Sequence, residues 1–489
     1  MPSSSVEKLG AEAPKAPPRF KGFTVDGPTS MDLDDAIEVV KLEHGWRVVV
    51  CIADVASVIQ AGSPLDVGRE RIFSEGEASR FIAGARQRVE TKYHAQGSVP
   101  MLPRSVSENR LSLHEGKLRP VMRLSIEIDE ALDVRVPLQV AFGPFRSRKR
   151  LAYGDIPSIL ADKTHPMHDR VSVAIQLSER LLARRRDQGA LVLYDLNSGW
   201  ITDEDGRLRQ LDRDEATVGY VLVQELMILA NQELAAWCAV HNLPVPYRVH
   251  QARPHAPDRA DMMASLSAAM GQSLPEIQAL QRRVHLTLER ARYSRTLHGH
   301  FGLNLPCYVH ATSPLRRYAD LVVQRQVRAH VLGEPLPYTP EAIDTIVTEI
   351  NAFHAAKQEA TQTFFKRRAK QAIEGEVVRN EGWAALDTGK FEQLLKLLVR
   401  DPEKRCPDTI PAEIARRLVE PGDRFRLSLL SLGLVLFEGS GPTWEEAHKA
   451  IFAHLVAYPH EALGVLHIQV QAGFLAPLTW AEGTGGAPH

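Results

Sequence analysis

The stretch Phe23-Thr24-Val25-Asp26-Gly27-Pro28-Thr29-Ser30-Met31-Asp32-Leu33-Asp34-Asp35-Ala36-Ile37-Glu38-Val39-Val40 carries four aspartates within ten positions: Asp26, Asp32, Asp34 and Asp35. Phe-Thr-Val before it and Ile-Glu-Val-Val after it have the β-branched, apolar character of strands. Gly27-Pro28-Thr29-Ser30 is turn chemistry. The turn can therefore fold Asp26, at a strand end, back toward the other three. Carboxylates gathered in this way repel one another strongly in a low-dielectric pocket, and a cation among them relieves the repulsion. Hard oxygen ligands at this spacing suit Mg²⁺ or Mn²⁺ and not zinc. Two such ions can grip the attacking and leaving oxygens of a phosphodiester. An acidic surface turn is the plainer alternative, although aspartates abutting so apolar a strand fit a solvated loop poorly. A calcium loop counted from Asp32 puts Glu43 at position 12, but Ala36 and Ile37 stand where that loop needs a ligand and a glycine.

The chain has 489 residues, enough for roughly three domains at ~150 residues each. Its net charge is −1, from 59 Lys+Arg against 60 Asp+Glu. That balance neither announces nor excludes a nucleic-acid partner, because the distribution of charge matters more than its sum. Basic residues cluster locally, at Arg146–Arg150, at Arg184-Arg185-Arg186, at Arg316-Arg317 and at Lys366-Arg367-Arg368. Cys51, Cys238, Cys307 and Cys406 are far apart and form no CxxC pair, so neither a disulfide framework nor a zinc site is expected. The first residues lack the apolar run of a signal peptide. No apolar run approaches the ~20 residues of a membrane span. The expected setting is cytoplasmic and reducing, with no membrane partner.

A second informative segment reads Tyr308-Val309-His310-Ala311-Thr312-Ser313-Pro314-Leu315-Arg316-Arg317-Tyr318-Ala319-Asp320-Leu321. Ser313 as N-cap and Pro314 at N1 predict a helix running to about Leu332, closed by Gly333. Arg316 and Arg317 then fall in the first turn, where the helix dipole disfavours cations. An anion bound there, such as a phosphate, makes sense of them. The alternative is an Arg316–Asp320 pair at i,i+4.

Between and beyond these segments the pattern is mixed. Trp46–Val55 reads as a buried strand ending at Asp54, which is either a turn former or a further site residue. Ser63-Pro64 opens a helix. Residues 121–145 alternate as in an antiparallel sheet, and 170–186 and 217–241 read as helices. His250, in Tyr247-Arg248-Val249-His250, has no second histidine at ligand spacing and reads as a hydrogen-bonded structural residue. Thr339-Pro340 opens a helix to about Ile373. Short strands are expected over 375–386, 421–429 and 434–438, helix over 390–418, and an amphipathic helix over 443–457.

Thr24-Val25-Asp26 with Asp32-Leu33-Asp34-Asp35-Ala36 closely resembles the aspartate signature of the ribonuclease II (RNB) exoribonuclease family. His310 to Tyr318 resembles that family's His-Phe-Thr-Ser-Pro-Ile-Arg-Arg-Tyr motif, with Ala311 in place of the phenylalanine. Pro100-Met101-Leu102-Pro103 with Leu111-Ser112-Leu113 is similar to a third family segment. The resemblance covers residues 20–372. It implies an α+β fold: an RNB catalytic domain, a mixed sheet whose surrounding helices form an RNA channel, followed by a small, degenerate S1-like OB barrel over 373–440. Residues 1–19 are expected to be a disordered arm, and 441–489 a helical tail without an assignment. Relatives carry cold-shock barrels ahead of this domain, and residues 1–19 are too few for them.

The activity the resemblance implies is metal-dependent 3′→5′ hydrolysis of single-stranded RNA from a free 3′ end, releasing nucleoside 5′-monophosphates. Asp26, Asp32 and Asp35 would hold Mg²⁺, or Mn²⁺. Asp34 and Arg316 would be catalytic, with Arg316 on the scissile-end phosphate. Tyr93, at the spacing of a family tyrosine, would pack against the 3′ nucleotide, with Glu359 and Arg317 as further RNA contacts. The family's Pro-Gly after that tyrosine is replaced by Ala95-Gln96-Gly97, which leaves the end-product length open. A monomer is expected, and a catalytically inactive RNA-binding protein on the same fold is the alternative.

Overall fold

The structure is a computed structural model. It describes residues 20–71, 80–94, 97–191, 194–195, 200–202, 208–210, 217–254, 256, 258–269, 288–379, 386–400, 409–419 and parts of 445–456. The chain divides into two compact units at His354/Ala355.

The first unit is organised on five strands: β1 (Phe20–Asp26), β2 (Asp35–Leu42), β3 (Gly45–Ala53), β4 (Leu118–Ile128) and β5 (Val134–Ala152). They close into a barrel in that order. Each consecutive pair is antiparallel, and β5 meets β1 in parallel, which makes the sheet mixed. Closure needs local bending, and the register slips between Gly22 and Thr24 and again between Ser125 and Glu127. The β2–β3 turn depends on Gly45 at φ +123°, where an added Cβ would lie 1.9 Å from the Ile128 carbonyl oxygen.

The apolar run in β3 is explained by burial on both faces. Val48, Val50 and Ile52 share one core with Met122, Leu124 and Ile126 and with helices α1 (His168–Asp187) and α2 (Thr217–Val240). Val49, Cys51 and Ala53 share a second core with Leu33, Leu102 and Leu315. Helix α3 (Tyr318–Leu332) reaches both cores, through Val323 and Val327 on one side and Leu321 and Val322 on the other. The second core also takes Ile343, Ile346 and Ile350 from the start of α4 (Pro340–Arg379). At ~25 cal/mol per Å² of apolar surface, these two cores are the main term holding the barrel to its helices.

Ser63 and Pro64 stand at the N-cap and start of a helix, as expected, and it is the single turn Pro64–Val67, ended by Gly68 at φ +81°. Two other expected elements come out differently. The helix expected from Pro314 starts at Tyr318, with Arg317 extended at φ −129°, ψ 127°. Its first turn is lost to pairing with another segment, since the Thr91 N–H donates to the Arg316 carbonyl (2.9 Å) and the Tyr318 N–H to the Val89 carbonyl (2.8 Å). Residues 375–379, expected as strand, continue α4. Val377-Val378 carry β-branched propensity, but a helix already formed extends at little cost through two unfavourable residues. The expected strands over 421–438 lie outside the described residues.

In the second unit, α5 (Thr388–Arg400) and α6 (Thr409–Val419) bear out the helical reading of 390–418. Phe391, Leu394, Leu395, Ile410, Ile414 and Ile451 are buried there. Arg417 is bonded to Glu413, with its guanidinium 4.4 Å over the Phe391 ring. The described residues among 445–456 are helical, as expected for that amphipathic stretch. Among the described residues, no helix is long and apolar enough to cross a membrane.

Candidate active site

The loop between β1 and β2 is fixed before any ligand arrives. The Ser30 N–H closes the turn on the Gly27 carbonyl at 3.1 Å. Arg150, near the end of β5, donates to the carbonyls of Pro28 (3.1 Å) and Ser30 (2.6 Å). Ser112 accepts the Leu33 N–H at 3.0 Å and donates to the Met31 carbonyl at 2.7 Å. The Leu113 N–H reaches the Leu33 carbonyl at 3.0 Å. Asp32, Asp34 and Asp35 are thereby held by backbone bonds that do not use their carboxylates.

Each aspartate has its own surroundings. Asp26 Oδ1 accepts from the Gly27 N–H and the Ser30 hydroxyl, both at 2.7 Å. Burial nonetheless raises its pKa above the ordinary value. Asp34 is 3% exposed. Its Oδ1 accepts the Leu315 N–H at 2.7 Å, and its Oδ2 lies 3.4 Å from Arg316 Nε. That Oδ2 is buried without a hydrogen-bond partner. Burial drives the Asp34 carboxyl well above the usual range, against the pull of Arg316. Asp35 opens β2 and is pushed up to about 7, first by burial and then by the charge of Asp26. Asp32 accepts from the Tyr93 hydroxyl at 3.0 Å.

Arg316 is carried to this cluster by the turn Ser313–Arg317, in which both the Arg316 and Arg317 N–H groups return to the Ser313 carbonyl. Its guanidinium donates to Ser313 Oγ at 3.1 Å and leaves 43% of the side chain exposed beside Asp34. The pairing thus differs from the alternative read in the sequence. The partner of Asp320 is Arg317, which donates to it twice at 2.9 Å, and Arg316 faces the aspartates instead. Asp320 is fully buried and also accepts the Ser313 N–H at 2.8 Å. Arg317 therefore locks the turn that aims Arg316. The next residue, Tyr318, is bonded through its N–H to Val89, whose φ of +62° is strained for a β-branched residue.

Tyr93 stands on the hairpin Lys92–His94 with Gly97–Val99, where Gly97 takes φ +135°. It is 58% exposed, so an aromatic face is open next to Asp32. Asp26, Asp32, Asp34, Asp35, Arg316 and Tyr93 are thus brought together, and Arg317 supports them from behind. Glu359 is an exposed residue of α4 in the second unit. Asp54 turns out to cap the short helix Val55–Ser57 and to pair with Arg328 at 3.3 Å, as a strand-end residue would. His250 accepts the Gly302 N–H at 3.1 Å, which bears out its structural reading.

Tyr153 is a site residue that the sequence reading did not find. Ala152 is paired with Asp26 across the β5–β1 seam, which delivers Tyr153 to the aspartates. Burial, reinforced by the charges of Asp26 and Asp35, raises its phenol well above the ordinary value and keeps it a donor. Gly219 permits this packing, since a Cβ there would lie 2.6 Å from the Tyr153 carbonyl oxygen. The only hint in the sequence is an aromatic hydroxyl directly after a long strand, and its meaning depends on barrel closure.

The donor set fits a hard divalent cation. The oxygens are carboxylate, one is buried and unpartnered, and the protonation of three of the four is raised by burial that a cation would offset. Among the described residues, no group of three or more His, Cys, Asp or Glu side chains is placed to hold a metal ion by itself. Mg²⁺ suits such a partial set, because it keeps waters and takes substrate phosphate oxygens alongside one or two carboxylates.

Residues 19–333 match the family model of the RNB domain. Ribonuclease R of Thermotoga maritima is 32% identical over 353 residues, covering 66% of this chain and 46% of that protein. Exoribonuclease 2 of Edwardsiella piscicida is 29% identical over 338 residues, covering 64% of this chain and 50% of that protein. The apo form of Mycoplasma genitalium RNase R superposes with a TM-score of 0.58 at 23% identity, covering 71% of this chain and 57% of that one. Yeast Ssd1, described as a pseudonuclease, superposes with a TM-score of 0.52 at 22% identity, over 68% of this chain and 42% of its own. The chain spans about half the length of the curated relatives it matches. With the family model matched over well more than half of its residues, from the first barrel strand through the helix behind Arg316, the chain belongs to the RNB domain family.

Proposed function

We propose that this chain is a metal-dependent hydrolytic exoribonuclease that shortens single-stranded RNA from a free 3′ end and releases nucleoside 5′-monophosphates. The observation that carries the reading is the acidic quartet with an arginine aimed into it: Asp34 Oδ2 buried without a hydrogen-bond partner, 3.4 Å from the half-exposed Arg316. A buried carboxylate cluster beside a cation is costly to keep unless it serves chemistry.

Asp26, Asp32 and Asp35 would hold Mg²⁺, or Mn²⁺, which supplies positive charge for the phosphate oxygens and for activating water. Asp34 completes the acidic site, with its Oδ2 3.4 Å from Arg316 Nε, and is the residue whose loss would hurt turnover most. As water adds to phosphorus and gives up a proton, the bond from phosphorus to the upstream 3′ oxygen breaks, and that oxygen takes a proton from solvent to become the new 3′ hydroxyl of the shortened strand. Arg316 stabilises the charge that grows on the phosphate. Tyr93 offers a face for the terminal base, a contact open to every base. Tyr153 is a donor at the same site, and a ribose hydroxyl is a group it could address. Arg317 acts through the turn it locks. The protein would work as a monomer in the cytoplasm.

The likeness to a pseudonuclease keeps a second reading in view, that of an RNA-binding protein without turnover. Fold alone does not decide between the two, and the complete aspartate set with Arg316 favours turnover. The test uses one RNA labelled at either end, with a deoxy oligomer of the same sequence. Release of labelled 5′-monophosphate at once from the 3′-labelled RNA, with the 5′ label kept in progressively shorter oligomers, is the expected result. Internal cuts, or equal rates on DNA, would overturn the assignment.

A further inference from the structure

Away from the aspartates, Gln251, Arg259, His298, Phe301 and Asn304 line an open recess of about 730 Å³. None of its lining residues is acidic. The permanent charge among them is Arg259, the first residue of the helix Arg259–Ala269. The guanidinium carbon lies over the Phe301 ring, 3.8 Å from its centroid, and Nη1 donates to the carbonyls of Gly189 (2.8 Å) and Phe301 (2.9 Å). Gly189, at φ +92°, lets it approach, since a Cβ there would lie 3.0 Å from Arg259 Cδ.

Arg259 is partly buried, and among the described residues no carboxylate pairs with it. Burial alone therefore acts on it and lowers its pKa. The contrast with Arg185, Arg317 and Arg325 is direct, because each of those is buried against a carboxylate. A desolvated cation without a counter-charge is unfavourable. Here it is also held rigid by two carbonyls and a ring, with Nε and Nη2 not committed to protein groups among the described residues. That is a preorganised fork for a phosphate. Gln251 adds an amide group to the lining, while the Asn304 amide donates to the Gln188 carbonyl at 2.5 Å.

We propose that this recess is a second, non-catalytic site for the phosphate of a nucleotide, with Arg259 as its anion partner. The phosphate belongs either to the body of an RNA strand or to a free nucleoside 5′-monophosphate. The naming of nucleotides rests on the proposed function, and the occupation of the recess by a phosphate does not. The test is therefore binding, without turnover. In the Asp34→Asn full-length protein, fluorescence anisotropy is measured on a 12-nucleotide and a 4-nucleotide RNA across a salt series, and 5′-AMP is titrated by calorimetry. Arg259→Gln is compared with its parent.

If the strand is the source, the variant binds the 12-mer about fivefold more weakly, the 4-mer equally, and the slope of log K against log salt falls by about 0.7, the share of one phosphate contact on a single strand. If the free nucleotide is the source, 5′-AMP binding is lost and RNA binding is unchanged. Equal affinities for all three ligands in a variant with the parent's thermal midpoint overturn the proposal, as does a parent that binds none of them. Should Arg259→Gln fail to fold, His298→Glu, a change at an exposed rim position, must weaken the same ligand by a like factor, and unchanged affinity there also overturns it. Loss of cleavage in the wild type with these binding results intact would refute the catalytic reading and leave this site standing.

Discussion

Asp35→Asn should make the protein less sensitive to alkaline pH, and the size of the effect follows from the site. The carboxyl of Asp35 is pushed from 3.8 up to about 7 by burial and by the nearby charge of Asp26. A carboxyl with a raised folded-state pKa binds its proton more tightly folded than unfolded. Its contribution to stability is complete below the unfolded pKa and is lost as pH rises through the folded one. Between pH 5.5 and 8 the folded group passes from almost fully protonated to about nine-tenths ionised, while the unfolded group stays ionised. That interval holds about 1.5 pH units of differential proton binding, worth about 2 kcal/mol at 1.36 kcal/mol per unit. The substituted amide cannot ionise and escapes the loss. The assay is urea unfolding of wild type and Asp35→Asn at both pH values in EDTA, compared as a double difference so that titrating groups not coupled to Asp35 cancel. Wild type should lose about 2 kcal/mol more than the variant. Mg²⁺ at millimolar concentration should shrink the gap, since a cation favours the ionised form. Identical pH dependence in the two proteins would refute the crowding of carboxylates on which the site rests.

Three further outcomes are expected. Arg316→Ala should lower kcat by about 10²–10³ while changing KM little, as for removal of a donor that acts on developing charge; equal loss in both would make it a plain binding residue. Tyr93→Ala should lengthen the limit product, because a stacked base is worth about 1–3 kcal/mol, and an unchanged limit product on a sequencing gel would remove Tyr93 from the 3′ clamp. Arg325→Met should destabilise by about 3–5 kcal/mol in urea melts, because it strands Asp66, now held at 2.9 Å in a pair 3% and 2% exposed; a loss below about 1 kcal/mol would show that the interior hydrates on breaking the pair.

How much of this was legible in the sequence depended on the range of the interactions concerned. The β1–turn–β2 unit is local: β-branched strands flank a Gly-Pro turn, and each carboxylate's place follows from period and turn. The apolar run Val48–Ile52 announces burial on both faces. The closure of β5 onto β1 is not legible, because a parallel seam between residues more than 120 apart leaves no periodic trace; Tyr153 was missed for the same reason. The start of α3 was misread because Ser313-Pro314 is a sound local signal for a helix, but backbone bonds from Val89 and Thr91 displace the first turn. That one displacement also reassigned the arginines, giving Asp320 to Arg317 and Asp34 to Arg316. Val377-Val378 was misread for the opposite reason, a local strand signal overridden by a helix already running through Ala369–Ile373.

The measurement closest to the central claim is a time course on 5′-labelled single-stranded RNA with Mg²⁺, using wild type, wild type with EDTA, and Asp34→Asn, with RNA affinity determined for each. A ladder descending to a short limit product, seen only with wild type and Mg²⁺ and with near-equal affinity for Asp34→Asn, is the predicted result. Unchanged cleavage by Asp34→Asn, or RNA left intact by wild type with Mg²⁺, would contradict it.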